Sequence, residues 1–320
     1  MKFLICAADS EDKRLAAFAS RSFPAQEAAE IVADATFVRS CKKKAVDSFV
    51  YFDTALGDRR ILELAGKLGE IEGCAWGILD RSGESQDPAA YFFAGASDYI
   101  GPALFKSGLD SGRLNEAIVF AGLEDPPDEE PAEDIFPGWS EIEEGSDVPV
   151  RFCYAAIGNH RTLLERIGEK RLDKLREDFA SFLESWSKEC GGIVWIKETT
   201  GCLLLFPPRD VGMNPVLAAF RLLLDRALIG YEVFKLEVPL SFRFAFHAGH
   251  TMWRKPGATG SIVAEDVNFA FHLGMKAAGD GYILVSAEAD SAVPTCLRDL
   301  FSPAGVFEGR SLLASKKFMD

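Results

Sequence analysis

Over its first third the chain alternates short, continuous apolar runs with stretches in which apolar residues return at helical spacing. Phe3–Ala7, Ser48–Phe52 ending at Asp53, and Gly73–Leu79 are too short for buried helices and are bounded by Gly or Asp, so they read as buried strands. Gly95-Ala-Ser-Asp-Tyr-Ile-Gly-Pro102 follows, and then a helix that closes near Phe120. Strands alternating with helices predict a doubly wound α/β layer, a parallel sheet with helices on both faces.

The pattern then changes. Residues 124–134 are acidic and proline-rich with almost nothing to bury, and they read as a solvated linker. Ile135, Phe136, Trp139 and Ile142 recur around Pro137-Gly138; large apolar groups so close together predict a segment docked on a domain, with a plain surface turn as the alternative. A strand over 150–157 and an amphipathic helix over 161–188 come next, the helix carrying Leu163, Leu164, Ile167, Leu172, Leu175, Phe179, Phe182 and Leu183 on one face. A hairpin of 192–197 and 202–206 turns around Thr199, Thr200 and Gly201. A helix over 216–228, a strand over 242–246, a helix opened by Asp266 and a strand over 282–286 complete the pattern. The expected organisation is a first domain over 1–121, a linker and docking segment over 122–149, and a second, α+β domain over 150–320.

Composition narrows the function classes. With 320 residues, 48% hydrophobic and 26% charged, the chain can build two cores. A formal net charge of −14 opposes non-specific attraction to nucleic acid or anionic lipid, so neither is an expected partner. No apolar run reaches the length of a membrane span, and the run that opens the chain is cut short by Asp9, so it reads as a strand; a cytoplasmic location is expected. Seven dispersed cysteines without a Cys-x-x-Cys pair argue against a disulfide framework and a zinc site. His247 and His250 are three apart on a predicted strand and so point to opposite faces; His247 reads as a packed, hydrogen-bonded histidine and not as a metal ligand.

The first domain, with Asp53 ending its third strand and the Gly-Ala-x-Asp-Tyr segment before Pro102, resembles a response-regulator receiver, whose fold is flavodoxin-like. The resemblance implies a phosphoacceptor at Asp53, supported by an acidic pair, a hydroxyl and a lysine. The acidic pair reads Ala7-Ala8 with Asp9 as a single survivor, the hydroxyl position holds Asp80, an extra carboxylate, and the lysine position holds Gly101. Phosphoryl transfer would lack charge compensation there. A pseudo-receiver, with Asp53 capping the loop 53–57, is the expected reading.

Ile262-Val-Ala-Glu-Asp-Val-Asn-Phe-Ala-Phe-His-Leu273, preceded by Phe-Ala-Phe-His-Ala-Gly over 244–249, resembles the distal half of a class III adenylyl/guanylyl cyclase catalytic domain. The resemblance extends over 150–320 and implies a ferredoxin-like fold, head-to-tail homodimers and clefts built from both chains. It also implies two metal-binding aspartates, but their positions are Ala156 and Thr200. Glu198, two residues from Thr200 and read as on the same strand face, is the possible substitute. The transition-state pair reads Asn268 and His272, where the family has Asn and Arg, and Asn268 has a second reading as a helix cap. The nucleotide-base positions are Lys197, one position out of register, and Ser261.

With charged residues missing from both sites, the expectation is an intracellular signal-transduction protein that acts through dimerisation, a partner protein or a bound ligand, with a protein partner for the receiver-like domain and no cofactor. The alternatives are an active cyclase making cyclic AMP or cyclic GMP, with Mg2+ or Mn2+ held by Glu198, Glu265 and Asp266, and a receiver still phosphorylated on Asp53.

Overall fold

A computed structural model describes residues 1–23, 29–37, 48–71, 73–85, 88–123, 136–238, 240–257 and 264–317. The predicted acidic linker, Ile135 and Ser261 lie outside the described residues. The chain divides into two compact units, Met1–Glu130 with Thr295–Leu300, and Pro131–Pro294 with Phe301–Asp320. The expectation of a single domain over 150–320 therefore misses one detail: Thr295–Leu300 belongs to the first unit, where Cys296, Leu297 and Leu300 are buried.

In the first unit, β1 (Lys2–Ala7), β2 (Glu30–Ala33), β3 (Ser48–Asp53), β4 (Cys74–Leu79) and β5 (Asp98–Ile100) form one sheet in the order β2-β1-β3-β4-β5. Every pairing is parallel. The sequence pattern missed β2, whose four residues are too few to set a period. All six residues of β3 are buried, as expected of a strand covered on both faces. Helix α1 (Lys13–Ser22) starts where the Asp12 carboxylate accepts the N–H groups of Arg14 and Leu15, and it packs Leu15 and Phe18 into a core with Ile5, Phe49 and Tyr51. Because the strands are parallel and in register, Asp53 and the loop after β4 emerge at the same carboxyl edge, the usual place for a site in such a sheet.

The second unit carries a seven-stranded sheet of β6 (Asp147–Ile157), β7 (Ile193–Glu198), β8 (Gly201–Phe206), β9 (Phe242–Met252), β10 (Ile283–Ser286), β11 (Phe301–Phe307) and β12 (Arg310–Ser315). Its order is β11-β12-β10-β9-β6-β8-β7, and only β9 and β10 run parallel. On one face Tyr154, Ala156, Leu203 and Ala245 pack under Val267, Phe269 and Ala270 of the helix Glu265–His272. The helix Glu169–Glu189 buries Leu172, Leu175, Phe179, Leu183 and Trp186, with Phe179 stacked on Phe242 of β9. The predicted helix over 161–188 is in fact two, His160–Ile167 and Glu169–Glu189, separated by Gly168 at φ +75°, a backbone state that residues with a Cβ rarely adopt. Likewise the helix predicted over 216–228 is broken into Pro215–Leu224 and Arg226–Glu232 at Asp225. Periodicity alone does not see such breaks, because apolar residues continue through them. The predicted docking segment packs within the second unit: Trp139 stacks on Trp253 at 5.2 Å and donates its indole N–H to the Gly191 carbonyl at 2.8 Å.

Candidate functional site

The cleft expected from the second unit begins at the end of β6. Ala156 is buried in the core that Tyr154 and Leu203 share, so its methyl group is packed and offers no oxygen. Glu198 ends β7 and pairs directly with Gly201, leaving Thr199 and Thr200 as the turn. Glu198 and Thr200 therefore do not share one straight strand, as the spacing suggested. Thr200 Oγ1 accepts the Tyr154 hydroxyl at 3.3 Å. Glu198, Thr199 and Thr200 border a small cavity with His160 and Arg176, and Arg176 is itself paired with Asp173 at 2.6 Å. One methyl group, one neutral hydroxyl and one glutamate are a donor set that does not fit a pair of magnesium ions, which need several converging oxygens. Among the described residues no group of three His, Cys, Asp or Glu side chains is placed to hold a metal ion.

Lys197 faces away from that core. The ladder pairs Lys197 with Cys202 and Ile196 with Leu203, and Leu203 is the residue that shares the core with Ala156. The Lys197 ammonium instead pairs with Glu184 of the helix Glu169–Glu189.

The helix Glu265–His272 carries the other two positions. Its N-cap is Ala264, and the backbone N–H of Asn268 bonds the Ala264 carbonyl, so the reading of Asn268 as a cap is wrong: it sits within the helix with its side chain exposed. His272 is held by Glu308, Nδ1 to Oε1 at 2.8 Å. The sequence pattern missed Arg310 on β12. Its guanidinium donates to Glu265 at 3.0 Å and to Asp266 at 3.1 Å, has Nη1 3.0 Å from His247 Nε2, and lies 4.6 Å from the centre of the Phe269 ring. Only the charge and length of Arg310 hinted at this, because the strand that presents it is distant in sequence.

His247 is fully buried between Phe152 and Phe269, as its packed reading expected. Its Nδ1 lies 2.8 Å from Ser286 Oγ and its Nε2 lies 3.2 Å from Asp266 Oδ1. Burial holds its pKa below the ordinary imidazole value, so the ring is neutral at pH 7. For Asp266 burial acts upward, but the N–H of His250 and the bonds from His247 and Arg310 outweigh it and hold the carboxyl below its ordinary value. Ser286, His247 and Asp266 thus form a hydroxyl–imidazole–carboxylate line, yet Ser286 has no exposed surface and cannot meet a substrate. The line ties β9, β10 and the helix Glu265–His272 together.

In the first unit Asp53 is almost fully buried at the carboxyl edge of the sheet. It caps the turn Thr54–Leu56 by accepting the Ala55 N–H, as expected. It also receives Arg81, with Nη2 to Oδ2 at 2.7 Å and Nε to Oδ1 at 3.2 Å, and Arg81 Nη1 donates to Asp12 at 2.6 Å. Burial raises the Asp53 pKa, while the bond from Arg81 lowers that of Asp12. Neither Arg81 nor Asp12 stood out in the sequence. Asp9, the expected survivor of an acidic pair, accepts only the nearby Glu11 N–H among its described side-chain bonds. Asp80 is no loose extra carboxylate either: it is buried and takes the N–H groups of Gly83 and Ser85 and the Tyr99 hydroxyl, so it organises its own loop. At Gly101 the backbone N–H donates to Asp299 at 2.7 Å, and a Cβ there would lie 2.8 Å from the same carboxylate oxygen.

No protein-family model and no curated protein matches the chain. Among solved structures it is similar to a dimeric guanylyl cyclase domain of the RhoGC fusion protein from the aquatic fungus Blastocladiella emersonii, at 14% identity and a TM-score of 0.42, over 55% of this chain and 98% of that one. It is similar to the guanylyl cyclase Cya2 at 15% identity and a TM-score of 0.41, over 54% of this chain and 93% of the other. For the adenylyl cyclase CyaB from P. aeruginosa the figures are 17% and 0.39, over 54% and 95%.

Proposed function

We propose that the protein is a signal-transduction scaffold, a pseudo-receiver joined to a cyclase-homology domain that has given up turnover and acts through dimerisation, a partner protein or a bound ligand. The observation that carries the reading is Ala156: the strand end that would present a metal-binding carboxylate presents a packed methyl group. The neighbouring positions support it. Thr200 is neutral and bonded to Tyr154, Lys197 is paired with Glu184, and His272 with Glu308. Asn268 alone keeps both the family's residue and an exposed side chain. The order β2-β1-β3-β4-β5 with all pairs parallel is that of flavodoxin-like doubly wound sheets, which supports the receiver-like reading of the first unit. In the homodimer we propose, the Asn268 and His272 face of one chain meets the Ala156 and Thr200 face of the other.

The test is incubation of the purified protein with ATP and with GTP, in magnesium and in manganese, with cyclic nucleotide measured by mass spectrometry beside Asn268→Ala. No product in either metal is the expected result. Product that disappears in Asn268→Ala would replace this reading with that of an active cyclase using substitute ligands. Of those ligands Glu265 and Asp266 are already paired with Arg310.

A further inference from the structure

In the first unit, two carboxylates from different elements converge on one guanidinium. We infer that Arg81 is a resident counter-ion, occupying the position between Asp12 and Asp53 that a divalent cation would take and making this cleft indifferent to such ions. The inference uses the geometry of this unit alone and does not depend on the proposed function.

All three guanidinium nitrogens of Arg81 are used, two on Asp53 and one on Asp12. The fork on Asp53 matches the planar geometry in which guanidinium and carboxylate pair best. Asp53 is 1% exposed, so dissolved ions cannot neutralise it, and a buried carboxylate needs a resident charge beside it. Asp12 is fixed as the cap of α1 through the N–H groups of Arg14 and Leu15, and Asp53 is fixed by the Ala55 N–H. Neither carboxylate is free to follow an arriving metal. Ala7 and Ala8, at the end of β1, add no further oxygen ligand from their side chains. A divalent ion entering this position would have to expel a guanidinium from a half-closed site or sit beside its positive charge. The remaining cleft lining is of mixed sign, with Arg14, Lys106, Asp58 and Glu84 around Thr54 and Ser82, and Asp58 is engaged by the Tyr91 hydroxyl. The surface of this edge is thereby held in one electrostatic state whatever the magnesium level.

The test is a Mn2+ titration of the full chain followed by electron paramagnetic resonance, on wild type, Asp53→Asn, Arg81→Ala, Arg81→Lys and Arg81→Ala combined with Asp53→Asn. The double variant serves to subtract Mn2+ bound elsewhere on this acidic protein. Expected is no Asp53-dependent binding in wild type or Arg81→Lys, and one Asp53-dependent equivalent in Arg81→Ala, with affinity on the order of tenfold or more above that of the double variant. Circular dichroism checks each fold, and Arg81→Gln replaces Arg81→Ala if the smaller side chain does not fold. Two results would overturn the inference: Mn2+ binding by wild type that Asp53→Asn abolishes, or no gain of binding in a folded neutral variant at Arg81.

Discussion

At the scale of single residues, placement in space changes what each side chain does. Asn268 was legible as a candidate because of the pattern around it, but whether it caps a helix depends on where the helix starts, and the start is Ala264. Asn268→Ala is therefore expected to change stability by no more than about 0.5 kcal/mol, as for an exposed position, where loss of a true cap would cost about 1 kcal/mol; urea denaturation distinguishes the two. Asp266 is the opposite case: in sequence it read as the opening of a helix and a substitute metal ligand, and in the fold it bonds His247, the His250 N–H and Arg310. Asp266→Asn is expected to cost about 1 kcal/mol, discounted from the usual worth of charged hydrogen bonds because the carboxylate is partly solvated. Its folded pKa is depressed, so its contribution is complete above the ordinary value of 3.8 and is lost as pH falls through the folded value. Denaturation midpoints of wild type and variant should converge as the solution is acidified below that point.

Elements were more legible than their ends. Strands such as β1, β3 and β4 were readable because a short apolar run bounded by Gly or Asp allows few other structures. The break at Gly168 was not, since it depends on a positive φ, which the apolar spacing does not encode. Gly168→Ala forces a Cβ into that state and is expected to cost about 1–2 kcal/mol, measured by chemical denaturation. Charge pairing between elements was equally hidden. Arg113 and Asp98, both fully buried, form an ion pair between the helix Ser111–Phe120 and β5, and the Tyr51 hydroxyl donates to the same carboxylate. Removing the cation leaves a buried charge, so Arg113→Ala is expected to destabilise the first unit by about 3–5 kcal/mol, seen as a lowered melting temperature.

For the whole molecule, the unexpected finding is that Thr295–Leu300 completes the first unit. Asp299 accepts the Gly101 N–H, the Thr295 N–H donates to Glu116, and Cys296 lies so deep that burial pushes its thiol up to about 12. Leu297 is fully buried, and Leu297→Ala is expected to cost about 2–5 kcal/mol and to speed amide exchange over 98–107, read by hydrogen-exchange mass spectrometry. The sequence by itself determined the two kinds of sheet, the residue types at each expected catalytic position and the lack of carboxylates at Ala156 and Thr200, because hydrophobic period and side-chain chemistry are local properties. Only the tertiary structure decided that Arg81 closes on Asp12 and Asp53, that Arg310 gathers Glu265, Asp266 and His247, and that a late segment belongs to the first unit. Ion pairs and burial between distant segments depend on chain topology, and no local pattern carries that information.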